Sequence, residues 1–440
     1  MHQKNGNGTF TSKIGFVLAA VGSAVGMGNI WMFPYRTGQY GGAAFLIPYL
    51  LFIALFGYVG LSGEFAFGRM TGTGPIGSYE FAMKSRGKKG GAILGTIPLL
   101  GSLGIAIGYA IIVGWVLRSA FGALTGSLIS TEPEQFFTEM SSTNFSSVPW
   151  HTLVILLTAA VLIFGVSGGI EKINKVMMPA FFILFIIIAV RVAFLPNAIE
   201  GYKYLLVPQW EYLLNPRTWI MAMGQAFFSL SITGSGMIIY GSYLPKNEDV
   251  VHSSCMTAVL DTCAAMLAGF AILPAVFAFG MDPASGPPLI FITLPKVFAQ
   301  MPGGRFIAVL FFLSVIFAGI TSLINMFEVC AEAVTTHLKL PRKAAVVLVG
   351  ALAFAAGAFI EFEPYLGKWM DAITIYVVPF GALLCAFIIY WVLGGKRIGD
   401  ELVMGRKKAL CRAVLPTARY LYVGLAVLVF ILSIICGGIG

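Results

Sequence analysis

The sequence predicts an all-α polytopic membrane protein of eleven transmembrane helices. Ten of them form a 5+5 inverted repeat whose helices 1 and 6 are broken at mid-membrane, and helix 11 is an addition. Three observations carry this prediction. The 440 residues are 58% hydrophobic and 11% charged, far more apolar than a soluble chain of this length. Eleven apolar stretches come close to or exceed the roughly 20 residues that cross a ~30 Å hydrocarbon layer. The first and the sixth of these stretches are interrupted by small and polar residues in mid-span, at corresponding places in two successive runs of five.

Helix 1 is expected at 13–38. Its segment 22–34, GSAVGMGNIWMFP, carries three glycines, a serine, an asparagine and a proline where an unbroken apolar helix would otherwise run. In hydrocarbon every backbone N–H and C=O needs an internal partner, so such a break is tolerated only where the freed groups line a cavity or hold a ligand. Helices 2 and 3 follow at 43–68 and 91–125, both without long polar interruption. The segment 126–150 is the long hydrophilic insertion, Ser/Thr-rich with Glu132, Glu134 and Glu139. Helices 4 and 5 are expected at 151–167 and 170–195, and helix 6 at 217–243, where Thr233, Gly234, Ser235 and Gly236 fall in mid-span. Helix 7 occupies 250–281. The proline-studded stretch 283–303 is expected as a structured external loop, either a cap that dips into the protein or an ordinary tether, and helices 8 to 11 lie at 304–337, 343–361, 366–394 and 416–438.

No soluble domain is expected. Residues 1–440 form one transmembrane unit with repeats at about 13–195 and 217–394. The net charge of +9 does not point to nucleic acid, because the basic residues gather beside helix ends, as at Lys84, Arg86, Lys88, Lys89 and again at Arg406, Lys407, Lys408. That is the positive-inside pattern. With the N-terminus in the cytoplasm, roughly 20 of the Lys and Arg residues fall on cytoplasmic segments against about 8 on the other face. The odd helix count then puts the C-terminus on the extracellular or periplasmic side of the cell (inner) membrane. Residues 1–11 are polar and helix 1 runs past signal length, so no cleaved signal is expected. Of the six cysteines, the closest pair, Cys255 and Cys263, would sit about 12 Å apart on one helix, too far for a disulfide. Nothing in the sequence fixes an oligomeric state.

Beyond the breaks, longer motifs run in order along the chain: GSAVGMGNIW in helix 1, GGAAFLIPY in helix 2, GIEKINKVMMP before helix 5, QAFFSLS in helix 6, FAGITS in helix 8 and VVPFGALL in helix 10. By these the chain resembles the neurotransmitter:sodium symporters, specifically their prokaryotic eleven-helix amino-acid transporter branch with the leucine-transporter fold. The resemblance covers essentially the whole chain. It implies a sodium-coupled importer that works by alternating access, with two sodium ions, an amino-acid substrate and the bilayer as its partners.

The resemblance also assigns residues. Sodium site two would use the carbonyls of Gly22, Val25 and Ala318 with the hydroxyls of Thr321 and Ser322, all hard oxygen donors suited to sodium. Sodium site one would use the carbonyl of Ala24 with Asn29, Ser229 and Asp261. Many relatives have Asn at Asp261, and in chloride-dependent members a nearby chloride compensates the sodium charge. A fixed carboxylate would replace it, so chloride is not expected as a co-ion. A lone acid in an apolar helix is also costly enough by itself to point to function.

The substrate pocket implied by the resemblance comprises Ser23, Ala24, Met27, Gly28, Ile105, Tyr109, Phe228, Ser231, Gly234, Ser322 and Met326. The unwound amides of helix 1 and the Tyr109 hydroxyl would bind the carboxylate, near a positive helix end. Gly234 stands where relatives usually carry Phe or Met, so the expectation is added side-chain space and a substrate larger than alanine, apolar or mildly polar. Six residues are assigned to gating. Glu64 would receive the broken backbone of helix 6, and Gly169 and Pro179 stand at a spacing that relatives use to unwind the start of helix 5. Met32 replaces the gate arginine of most members. Its acidic partner aligns with Asp371, and Arg36, one turn further along the same face, is the expected substitute cation.

Two other readings compete. A carrier of the same fold driven by protons or exchange would not need the five second-site ligands. A membrane enzyme would need clustered His, Cys or carboxylate groups, whereas His2, His151, His252 and His337 are dispersed near predicted helix ends.

Overall fold

The fold is that of a computed structural model, which describes residues 8–283 and 289–439. His2 and positions 284–288 of the capping loop lie outside the described residues. All eleven expected helices are present. Helix 1 is split into Lys13–Ala24 and Gly28–Gln39, bent by 57°. Helix 2 spans Ala43–Thr71 and helix 3 Gly91–Thr125. Helix 4 spans Val148–Ile163, and helix 5 Val166–Ala193, starting a few residues earlier than its apolar run. Helix 6 is split into Pro216–Ser229 and Gly236–Ser242. Helices 7 and 8 are Val250–Ala278 and Gly304–His337. Helix 9 spans Arg342–Ala358, helix 10 Glu363–Val403 with a bend at Gly394 (φ 94°), and helix 11 Val414–Cys436.

Burial ranks these helices by position. In the apolar window of helix 3, 83% of residues are buried inside the protein, and 78% in helix 8, against 28% in helices 5 and 11. Helices 3 and 8 are therefore central, while helices 5 and 11 present most of their surface to lipid. The short second half of helix 6 is held by close backbone approach to helix 2. A Cβ on Gly68 would stand 1.9 Å from the Ile238 carbonyl oxygen, and one on Gly241 2.3 Å from that of Phe65, so only glycine permits this contact.

The two faces of the bundle differ. On the N-terminal face the Ser12 hydroxyl caps helix 1 by accepting from the Gly15 N–H at 3.0 Å. The buried Glu171 carboxylate ties that cap to helix 5, accepting from Thr11 N–H (2.7 Å), the Thr11 hydroxyl (2.8 Å), the Ser12 hydroxyl (2.8 Å) and Lys175 (2.6 Å). Phe10 donates its N–H to the Tyr243 carbonyl at 3.2 Å and packs its ring against Phe16, Tyr240 and Tyr243. Tyr243 in turn donates to Glu328, which is held by Arg342 through two hydrogen bonds of 3.0 and 2.7 Å. This face is shut. The opposite face holds a cavity of about 390 Å³. The capping loop folds in beside it as Leu289–Thr293 and Leu294–Gln300, and its Phe291 lines the cavity wall.

Candidate functional site

Both helix breaks lie at the bundle centre and touch each other. The Ser231 hydroxyl donates to the Ser23 carbonyl at 3.0 Å, and the Ser322 hydroxyl of helix 8 lies 3.4 Å from the same oxygen. Ser231 itself adopts φ 51°, a left-handed conformation that a residue with a side chain holds only at a cost of roughly 1–2 kcal/mol. Such backbone persists only where the surroundings over-determine it.

The second-site oxygens converge. The Ser322 hydroxyl is 3.2 Å from the Gly22 carbonyl oxygen and 3.1 Å from that of Val25. The Thr321 hydroxyl is 3.1 Å from the Ala318 carbonyl. A Cβ on Gly22 would stand 2.9 Å from Cβ of Thr321, so helices 1 and 8 meet without a gap. The Ser322 hydroxyl and the carbonyls of Gly22 and Val25 are uncharged hard oxygens of the kind that suits a monovalent cation of sodium type, and Thr321 meanwhile bonds back along helix 8 to the Phe317 carbonyl at 2.9 Å.

The first-site side chains form a second buried group. Asn29 donates through Nδ2 to Asp261 Oδ1 at 2.8 Å, to the Asp261 carbonyl at 3.1 Å and to Ser229 at 3.2 Å, and its Oδ1 accepts from Gly26 N–H at 3.2 Å. Ser229 donates to Asp261 Oδ2 at 2.6 Å. Asp261 is fully buried, and among the described residues no cationic side chain pairs with it. Among the described side chains, its two oxygens are held only by the Asn29 amide and the Ser229 hydroxyl. Ala24, the remaining member of this set, is the last residue of the first half of helix 1 and is buried.

Met27, Gly28, Tyr109 and Phe228 form the floor of the cavity. The Tyr109 hydroxyl accepts from the Met27 N–H at 2.8 Å, which places a phenol and a backbone amide side by side at the cavity. Ile105 is buried one turn below Tyr109 on helix 3, and Met326 is half-buried one turn beyond Ser322. Neither lines the cavity. Three linked hydroxyls lie deeper still: Ser235 is 2.6 Å from Ser102 and 2.8 Å from Thr233.

Gly234 differs from expectation. Its N–H donates to Glu64 Oε1 at 2.8 Å, as the resemblance implied. The space beside it, however, is filled. With φ 75°, a Cβ here would stand 2.7 Å from the Gly381 carbonyl, 2.8 Å from the Tyr79 hydroxyl and 2.9 Å from Cys385 Cβ. The missing side chain adds no room to the substrate cavity, because the left-handed turn points that position at helix 10 and at Tyr79.

Among the gating residues, Met32, Arg36 and Asp371 all line the open cavity. No ion pair joins Arg36 to Asp371 among the described residues. The Arg36 guanidinium is buried, with one amino group on the Met221 sulfur and its plane near the Tyr35 ring at 5.5 Å, while Asp371 is exposed. The cavity between them is open, which leaves the acid in water and sends the cation toward helix 6. Gly169 lies in a π-helical turn, Val166–Glu171, and Pro179 within Lys172–Ala193. Helix 5 is wound throughout in this state.

The structure adds residues to which the sequence analysis gave no role. Gln225 donates to the Gly28 carbonyl at 2.9 Å and so ties the two broken helices together. A glutamine in an apolar run was a signal available in the sequence. Asn174, inside GIEKINKVMMP at the start of an apolar stretch, carried a comparable signal, whereas Tyr79, between the apolar stretches, did not. Asn174 is fully buried beside Gly22.

Comparisons with known proteins place the family and the fold. The model of the sodium:neurotransmitter symporter family matches residues 7–148 and 134–436. An uncharacterised sodium-dependent transporter of Bacillus subtilis (strain 168) is 36% identical over 395 residues, covering 86% of this chain and 87% of the relative. One from Methanocaldococcus jannaschii is 31% identical over 418 residues, covering 89% and 83%. The crystal structure of MhsT in complex with L-phenylalanine superposes with a TM-score of 0.87 at 31% identity, covering 98% of this chain and 100% of MhsT.

Proposed function

The chain belongs to the sodium:neurotransmitter symporter family, a family of sodium-dependent transporters and not of enzymes, and we propose that it imports an amino acid together with two sodium ions by alternating access. The observation that carries this reading is the Ser322 hydroxyl of helix 8 meeting the carbonyls of Gly22 and Val25 at the helix 1 break, next to an amide and a tyrosine hydroxyl at the cavity floor. The substrate carboxylate would meet the Met27 amide and Tyr109, and the carbonyls freed at the helix 6 break, with Ser231 and Ser322, would receive the ammonium group.

The N-terminus lies in the cytoplasm and the C-terminus outside, as the basic loops favour. The shut N-terminal face and the open opposite face then correspond to an outward-facing state. MhsT is seen with L-phenylalanine, which supports an amino acid larger than alanine. The hydroxyls of Ser102, Thr233 and Ser235 bond to one another and carry no charge, which favours an uncharged substrate side chain, apolar or mildly polar. Asp261 supplies the negative charge that chloride provides elsewhere, so transport is independent of chloride.

Purified protein in proteoliposomes tests this with a panel of labelled amino acids, with and without an inward sodium gradient. At least one amino acid larger than alanine should accumulate only with sodium, and Thr321→Ala should abolish accumulation while the protein remains folded. Uptake that persists without sodium would favour the proton-driven or exchange carrier instead.

A further inference from the structure

Helix 11 presents most of its surface to lipid, yet the chain turns inward directly after it. Gly437 (φ 68°) and Gly438 (φ 106°) adopt left-handed backbone, which side chains rarely tolerate. Both donate their N–H to the Ser433 carbonyl, Gly438 at 2.8 Å, so the chain reverses at the helix end. Both glycines line the open cavity, and the next residue, Ile439, is buried.

Ile439 is seated on helix 6. A Cβ on Gly224 would stand 1.9 Å from the Ile439 carbonyl oxygen and 2.8 Å from its Cγ1, a contact that only glycine permits. Phe228 lies one turn further along the same face of helix 6. Gly224, Phe228 and Ile439 border, with Thr374 of helix 10, a hollow of about 20 Å³, room for about one water. Phe228 and Thr374 also line the open cavity, so these two side chains are the partition between cavity and hollow. The Phe228 ring rests against helix 1 as well, where a Cβ on Gly28 would stand 3.3 Å from its Cδ1. The ring is thus held between helix 1 and a hollow that Ile439 closes.

We infer that Ile439 is a positioning residue for Phe228, and that the segment after helix 11 thereby sets how large a substrate side chain the cavity floor accepts. The inference rests on the amino-acid import proposed above and deepens it. With Ile439 in place the hollow is too small to take a phenyl ring, and Phe228 stays at the floor. Without the Ile439 side chain the hollow grows, the ring swings into it, and the floor deepens.

The test uses the full chain in proteoliposomes and the labelled amino acid that it accumulates with sodium. Unlabelled L-leucine, L-phenylalanine and L-tryptophan compete for uptake, and half-inhibitory concentrations are compared. Ile439→Ala should improve L-tryptophan relative to L-leucine about fivefold, while Ile439→Val should stay within about twofold of wild type. Gly224→Ala drives the Ile439 backbone off helix 6 and should give the same shift. The double variant should shift the ratio no further than either change alone, since both empty one hollow. A residue that merely held the fold would lower uptake and melting temperature and leave the ratio alone. An unchanged ratio in Ile439→Ala would therefore overturn the inference, as would additive shifts in the double variant. Should either variant fail to fold, the other decides by its ratio. A wild type that accumulates no amino acid overturns the import reading itself, a result distinct from an unchanged ratio in the variants.

Discussion

Replacing Asp261 by Asn changes one charge and almost no volume, which makes it the sharpest probe of the first sodium site. The carboxylate accepts from Asn29 Nδ2 at 2.8 Å through Oδ1 and from the Ser229 hydroxyl at 2.6 Å through Oδ2. A carboxamide keeps the first bond through its oxygen. Its NH₂ donates to Ser229 Oγ in place of the second, so the net change in folding stability should stay within about 1 kcal/mol. The electrostatic change is larger. Two unit charges about 4 Å apart attract by roughly 4 kcal/mol at the effective dielectric suited to protein sites, and the amide oxygen, still a ligand, restores about half. The remaining ~2 kcal/mol corresponds to a rise of about thirtyfold in half-saturating sodium. The assay is a sodium titration of substrate uptake in chloride and in gluconate. Wild type should behave alike in both media, and the variant should recover most of its loss in chloride alone. A wild type that already needs chloride would refute the reasoning, and so would a variant within threefold of wild type in both media.

Gly234→Ala is expected to lower the melting temperature and uptake together, because the new methyl meets the Gly381 carbonyl and the Tyr79 hydroxyl at φ 75° and the left-handed backbone alone adds roughly 1–2 kcal/mol. An unchanged melting temperature would mean that the helix 6 turn is looser than the structure has it. For the outer gate, Arg36→Gln and Asp371→Asn should each weaken substrate retention, with a coupling of up to about 1 kcal/mol in the double-mutant cycle if the two side chains meet once the cavity closes. Strictly additive losses in substrate affinity would show that they never do.

The fold was legible because the bilayer leaves few options for breaking a helix: glycine, serine and asparagine at mid-span in helices 1 and 6 had to serve a site. The second-site residues were suggested by the same logic together with the FAGITS motif; the structure joins Ser322 to the carbonyls of Gly22 and Val25, while Thr321 bonds back along helix 8 to Ala318. The role of Gly234 was not legible. A residue in an unwound segment follows no helical period, so sequence spacing cannot say which wall it faces, and Tyr79 comes from a short helix, Pro75–Lys84, far away in the chain. Arg36 and Asp371 illustrate a different limit. One helical turn of spacing fixes that Arg36 shares a face with Met32, but whether a cation meets an acid across a cavity depends on the cavity being closed.

The N-terminal latch and the second site bear on a single element, the first half of helix 1. Glu171 holds its start through Thr11 and Ser12, and Ser322 holds its end through the carbonyls of Gly22 and Val25. A single hydroxyl proton cannot serve both carbonyls at full strength, whereas a cation can be coordinated by both at once. On the proposed mechanism, sodium at the second site therefore strengthens the arrangement in which the N-terminal face is shut, and it does so only by as much as it binds this arrangement better than the open one. The substrate enters the same balance through the Met27 amide and Tyr109, one turn further along helix 1. Coupling between ion and substrate then requires no long pathway. Both would act on the same broken helix, whose start Glu171 ties to helix 5.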